Sequence, residues 1–259
     1  MGRSGHIGAE EDRLALSLED KENAEILFYR DAEHEKPEAD SLPNMLNKMQ
    51  DCAVFASILP QFDGIFRNAT DVLEIGGGQG WASCALKKLY PKLKVTLTDI
   101  SEYAVKSCHK WERVFGTSID ESFACRSYEI PKPDASLDCV FCFSSAHHFV
   151  KHSETLKEIK RVLRKGGHCL YLHEVTTSRL MYRWAHARVN RRGVVPEDVI
   201  IHKDLLSAAR EMELTATIQF NPTLLKRGPA ETLYYFVLGR LGFLQPLLPC
   251  SANFRFDKV

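Results

Sequence analysis

Between Asp71 and Glu174 short apolar runs alternate with longer stretches of helical periodicity. Asp71–Ile75 is a brief apolar strand ending in glycines, and Trp81–Leu89 reads as a helix stopped near Pro91. Lys94–Thr98 is a β-branched strand ending at Asp99, and Ser101 caps a helix reaching Phe115. Phe123–Arg126 is a shorter strand and Leu137–Phe143 a continuous apolar one. Ser153 caps a helix to Leu163, Lys165-Gly166-Gly167 ends it as a glycine C-cap, and His168–Glu174 is the next strand. Strands separated by single helices predict an α/β doubly wound sheet, mostly parallel, with helices on both faces.

The flanks are less regular. Leu14 to Tyr29 shows helical periodicity with Leu14, Leu18, Ile26 and Leu27 as anchors, and Asp31–Asp40 reads as an exposed linker or mobile lid. Residues 1–40 are therefore expected to form an acidic N-terminal extension or lid on a main domain spanning 41–259. Ser41 caps a helix to about Leu59, with Pro43 in its first turn. Beyond Glu174 the pattern predicts helices at Ser178–Asn190 and Lys203–Met212, a strand at Leu214–Phe220, an apolar helix Ala230–Leu241 begun by Pro229, and a last strand at Asn253–Asp257. Insertions at about 176–200 and 222–250 are expected to cover a substrate. The apolar helix is too short to span a membrane; burial in the monomer is its default, with a cavity wall, a homodimer interface or a lipid surface as its other uses.

Composition adds limits. The 259 residues carry 34 basic and 34 acidic side chains, so no global field attracts nucleic acid. Acid dominates Glu10–Asp40 and base dominates Lys151–Lys203. Met1–Gly8 is polar, without the apolar region of a signal peptide, and eight cysteines fit free thiols in a reducing cytoplasm. Cys139 and Cys142 form a CxxC inside a predicted strand, where side chains three apart point to opposite faces. They read as two core thiols, and no metal is expected.

The chemistry concentrates at Val72-Leu73-Glu74-Ile75-Gly76-Gly77-Gly78-Gln79-Gly80, a glycine-rich turn between strand and helix. A dinucleotide fingerprint would need glycine where Trp81 stands. The spacing is instead acidic-x-G-x-G-x-G, and Asp99 ends the next strand 23 residues after Gly76, where a carboxylate can accept both hydroxyls of a ribose. This turn resembles the first motif of the class I S-adenosylmethionine-dependent methyltransferases. Ile130–Phe141, Ser145-Ala146-His147-His148-Phe149 and Leu156–Gly167 are similar to three further motifs of the type 11 group of that family. The resemblance covers about Asp71 to Glu174. It implies a Rossmann-like sheet with an antiparallel last strand, plus helical additions at the N-terminus and after the fifth strand. It also implies S-adenosylmethionine as cofactor and S-adenosylhomocysteine as product. On the matching positions, Glu74, Gly76, Gly78 and Gly80 would shape or contact the methionine end, Asp99 the ribose, Ile100 and Ser127 the adenine, and Ser144 the methionine moiety. Arg126 stands where many members carry aspartate for the adenine amino group.

Methyl transfer from a sulfonium needs positioning above all, and a hydroxyl acceptor also gains from a general base. His147, His148, His173 and Glu174 lie at strand ends on the ligand-binding edge and are the candidates. Tyr182, Arg183 and His186, in the insertion, are candidate acceptor contacts, an arginine being able to grip a carboxylate or phosphate. The expected activity is methylation of a small-molecule acceptor, an oxygen before other atoms, on a natural product, sugar or lipid-like metabolite. The rivals are a non-methylating reaction such as a cyclisation, and a cofactor-binding protein without catalysis.

Overall fold

Apolar residues two apart on the predicted strands share one face of a single sheet. The computed structural model describes residues 17–191 and 197–259. Its strands are β1 (Asp71–Glu74), β2 (Lys94–Asp99), β3 (Glu121–Ala124), β4 (Leu137–Phe143), β5 (Leu163–Thr177), β6 (Ile200–Ile201), β7 (Thr215–Phe220) and β8 (Cys250–Asp257). The order is β3-β2-β1-β4-β5-β8-β7, with the short β6 beside the end of β5. From β3 to β5 neighbours are parallel, while β8 runs antiparallel to both β5 and β7.

Alternation along the strands divides the interior into two cores. Val72, Val95, Cys139, Phe141 and Leu170 face one way, against helices α2 (Leu42–Ile58), α4 (Trp81–Leu89) and α6 (Cys108–Phe115). Leu73, Val140, Cys142, Cys169 and Phe254 face the other, against α7 (His152–Val162) and α9 (His202–Glu211). The two cysteines of the CxxC thus lie in different cores, as strand geometry requires. All eight cysteines are free thiols.

The helix caps follow local chemistry. α1 (Leu18–Asp31) starts with a capping box in which the Ser17 hydroxyl accepts from Asp20 N–H and the Asp20 carboxylate accepts from Ser17 N–H. Ser41 caps α2 at Asn44 N–H. α3 (Asp63–Asn68) completes the approach to β1. The sequence anchor Leu14 lies outside the described residues.

Five expectations need correction. Ser153 does not cap α7: it lies inside that helix, which starts at His152 after Lys151 with no side-chain cap bond. The helix expected from Ser101 to Phe115 is two, α5 (Glu102–Lys106) and α6, because Ser107 N–H bonds back to Ala104 C=O and its hydroxyl to Tyr103 C=O, tightening one turn. Lys165-Gly166-Gly167 does not cap a helix: α7 ends at Val162, and the glycines lie within β5, where a Cβ on Gly167 would stand 2.9 Å from Arg164 O and 3.1 Å from Asp138 O. Residues 126 and 127 fall after β3 rather than in or beside a strand end at Arg126. Finally, α10 (Pro229–Arg240) buries only Tyr235 and Leu238, and leaves Leu233 67% and Phe236 48% exposed. α8 (Tyr182–Val189) occupies the first insertion. Among the described residues no helix is long and apolar enough to cross a membrane.

Candidate functional site

Strand order reverses between β1 and β4, because β2 continues one way from β1 and β5 the other from β4. Such a switch point opens a crevice at the carboxyl ends of the two strands. The glycine turn closes one wall. Gly76, Gly78 and Gly80 all have positive φ, at 61°, 54° and 82°. A Cβ on Gly76 would come within 2.9 Å of Ser145 Oγ, and one on Gly80 within 2.5 Å of Leu97 Cδ2, so crowding and positive φ together favour glycine at both positions. Asp99 reaches into the turn, accepting Gly78 N–H at 2.8 Å on one oxygen and Ser101 N–H at 2.9 Å on the other. Burial pushes its carboxyl up to about 6, against those two N–H groups, with Glu25 adding to the rise. Glu74 turns to the start of α4, where it accepts the backbone N–H of Ser83 at 3.0 Å and its hydroxyl. Burial raises the Glu74 carboxyl to about 8.

The facing wall is built on two strained residues, one just after β4 and one inside β5. Ser144 after β4 and His173 within β5 both hold positive φ, at 48° and 56°, a conformation uncommon for residues with a Cβ. The pairing of β5 with β8 shifts between Tyr171 and Glu174. The shift turns the Glu174 carboxylate inward, where it is fully buried and accepts backbone N–H groups of Ser145 at 2.9 Å, Ala146 at 3.0 Å and His147 at 3.3 Å. It also meets His147 Nδ1 at 2.9 Å. Burial alone would raise this carboxyl, yet His147 and the N–H groups hold it below its ordinary value. Glu174 therefore stays ionised and fixes His147 with Nδ1 inward, leaving Nε2 as the nitrogen able to meet a substrate.

The roof is α1. Glu22 accepts from Arg126 Nε at 2.9 Å and from the Tyr128 hydroxyl, and Glu25 Oε1 lies 2.7 Å from His148 Nδ1. The Tyr29 hydroxyl sits 2.8 Å from where a Cβ on Gly78 would stand. Below the roof lies a cavity of about 1010 Å³ running from the glycine turn to α8. That volume is at the upper end of ligand pockets and holds more than a nucleoside.

Residues 73–171 match the family profile described as "Methyltransferase domain". The chain carries a class I S-adenosylmethionine-dependent methyltransferase domain. The domain is 29% identical over 100 residues to a fatty-acid O-methyltransferase of Mycolicibacterium smegmatis, covering 39% of this chain and 35% of that one. It is 30% identical over 99 residues to the 27-O-demethylrifamycin SV methyltransferase of Amycolatopsis mediterranei, covering 37% and 35%. The chain thus spans well under half the length of these curated relatives. Among solved structures, the geranyl diphosphate C-methyltransferase of Streptomyces coelicolor A3(2) superimposes with a TM-score of 0.61 at 15% identity, over 81% of this chain and 83% of that one.

The methyltransferase domain brings most of the sequence candidates to one cavity. Glu74, Gly76, Gly78, Asp99, Ile100, Ser127, Ser144, His147 and His148 line it, as do Tyr182, Arg183 and His186 from α8. Three candidates do not. Gly80 lies behind the turn as the N-cap of α4 and shapes rather than contacts. Glu174 is spent on His147 and three backbone groups, so it is not itself a base for substrate. His173 stacks on Phe143, with ring centroids 5.6 Å apart, and burial with Arg227 nearby depresses its pKa to about 4. The domain also fits its cofactor: each Asp99 oxygen accepts only one backbone N–H, which leaves lone pairs for a ribose diol, and the glycines admit a ligand to the backbone. Sequence reading missed Glu22, Glu25, Tyr29 and Lys226 in the lining. Ser17-x-x-Asp20 marks the start of α1, but no sequence signal says where that helix packs.

Proposed function

We propose that this chain transfers a methyl group from S-adenosylmethionine to an oxygen of a small molecule, with His147 as general base. The observation that carries the oxygen reading is the Glu174–His147 pair at the cavity floor, with the carboxylate fully buried and Nδ1 2.9 Å from it. Glu74, the glycine turn and Ser144 would hold the methionine end, Asp99 the ribose, and Ile100, Ser127 and the loop bearing Arg126 the adenine. Bound there, S-adenosylmethionine supplies an electrophilic methyl group on a good leaving group. His147 would take the acceptor's hydroxyl proton at Nε2. Glu174 stabilises the resulting imidazolium, as a buried carboxylate on the far ring nitrogen does.

Tyr182, Arg183 and His186 would contact the acceptor, and α1 would act as the lid. The methylations named for the relatives, of a fatty acid and of 27-O-demethylrifamycin SV, support an oxygen on a lipid-like or natural-product molecule. The test is a panel of hydroxyl and carboxyl compounds incubated with methyl-labelled S-adenosylmethionine, followed by product mass. The expected product gains one methylene unit on oxygen, and His147→Ala lowers kcat about 100-fold or more while leaving S-adenosylhomocysteine affinity intact. Full turnover by His147→Ala would remove the base from the scheme.

A further inference from the structure

We propose that the outer face of α10, with the adjoining face of α8, docks on an anionic lipid bilayer. The inference stands apart from the methyl-transfer reading, since the apolar side chains that carry it lie outside the cavity.

α10 is apolar on nearly every side, a composition that ordinarily belongs to a buried helix. Here only one side is covered. Tyr235 and Leu238 face the protein, Arg227 stacking on the Tyr235 ring at 3.9 Å. Leu233, Phe236 and Val237 recur at helical spacing on the other side, 40% to 67% exposed. Phe243, in the turn that follows, is 69% exposed. α8 extends the face: Arg188 bonds Glu231 of α10 at 3.0 Å and stacks over Trp184, which is 50% exposed.

Charge selects the occupant. Residues 178–191 hold four arginines and no acid, and residues 222–247 hold Lys226, Arg227 and Arg240 against the single acid Glu231. The chain as a whole is neutral, so this excess is local. Among the described residues Arg191 and Arg240, both outside the cavity, have no acidic partner. A second copy of the chain would set these arginines against their own kind across a two-fold axis. A bilayer of acidic lipids satisfies both features, taking aromatic and aliphatic side chains at headgroup depth with arginines among the phosphates. α8 also lines the cavity through Tyr182 and Arg183, so docking would bring the cavity's acceptor end to the lipid surface.

The experiment is co-sedimentation of the full chain with vesicles of phosphatidylcholine, pure or mixed equally with phosphatidylglycerol, at low and high salt. We expect binding to the mixed vesicles, at least about tenfold weaker binding to pure phosphatidylcholine, and weakening by salt. Phe236→Glu with Phe243→Glu should cut vesicle binding about tenfold or more. Because both side chains are exposed, the thermal midpoint and S-adenosylhomocysteine affinity should remain those of the parent chain. Arg240→Gln should reduce the preference for acidic lipid with the apolar face intact. The proposal is overturned by absence of binding to either vesicle, or by binding that the double variant leaves unchanged. A concentration-dependent dimer that the double variant dissociates, without vesicle binding, would also overturn it and assign the face to a second copy.

Discussion

In the proposed site Asp99 couples ligand binding to protons. Its carboxyl, raised to about 6 by burial, must be ionised to accept both hydroxyls of a ribose. S-adenosylhomocysteine affinity should therefore fall about tenfold for each pH unit below 6, as titration calorimetry across pH would show. Asp99→Asn should weaken binding about tenfold to 100-fold at neutral pH and flatten the dependence. Folding takes the opposite sign. The folded protein holds this proton more tightly than the unfolded chain, so Asp99 favours folding most below its unfolded pKa of about 4 and loses that contribution as pH rises through about 6. Glu174 behaves the other way, its depressed carboxyl stabilising the fold above its unfolded pKa and losing that as pH falls through the folded one. Glu174→Gln should cost about 1–3 kcal/mol in chemical denaturation, since it places an amide N–H₂ among donors. It should also lower kcat without touching S-adenosylhomocysteine affinity, a split that loss of folding alone would not produce.

At the scale of elements, legibility followed periodicity. β1, α4, β2 and β4 were readable because short apolar runs alternate with amphipathic ones and each junction carries its own cap or glycine. The glycine turn and Asp99 were readable because their spacing is set by local geometry. The role of Glu174 was not: it depends on the register shift in β5 against β8, a partner more than 70 residues later in the chain. The seat of α1 was equally hidden, since Glu22 and Glu25 look like any solvated acids until Arg126 and His148 meet them. That seat makes a prediction. Burial opposes charge on His148, but Glu25 prevails and raises its pKa, so the pair's contribution is complete below the unfolded value near 6.5 and is lost as pH rises through the folded one. Both partners are largely shielded, at 26% and 20% exposed, and the pair is worth about 1 kcal/mol. Limited proteolysis within α1 should therefore speed up from slightly acid to mildly alkaline pH. Glu25→Gln should make cleavage fast at both, and persistence of the pH effect in that variant would assign it to another group.

For the molecule as a whole, the sheet separates a core that supports the site from one that supports the fold at large. Phe55 of α2 is 1% exposed and packs on Trp81, Phe141 and Phe143, at centroid distances of 5.9, 6.1 and 5.4 Å. Trp81 and Phe143 themselves line the cavity, so Phe55 is one ring removed from it. Phe256 of β8 lies in the opposite core, fully buried against Tyr171 at 5.2 Å and Phe254 at 6.1 Å. Its path to the cavity runs through Tyr171 and then Phe149, two rings away. Truncating either phenylalanine removes similar buried volume and should cost about 3–5 kcal/mol of unfolding free energy in urea. The two should separate on binding. A void at Phe55 lets Trp81 and Phe143 relax away from the glycine turn, and S-adenosylhomocysteine affinity should drop about tenfold in Phe55→Ala. A void at Phe256 is absorbed within β8 and β7, and the folded fraction of Phe256→Ala should bind with the parent affinity. Equal binding losses in the two variants would mean that the sheet transmits strain across its thickness and that the cores do not act separately.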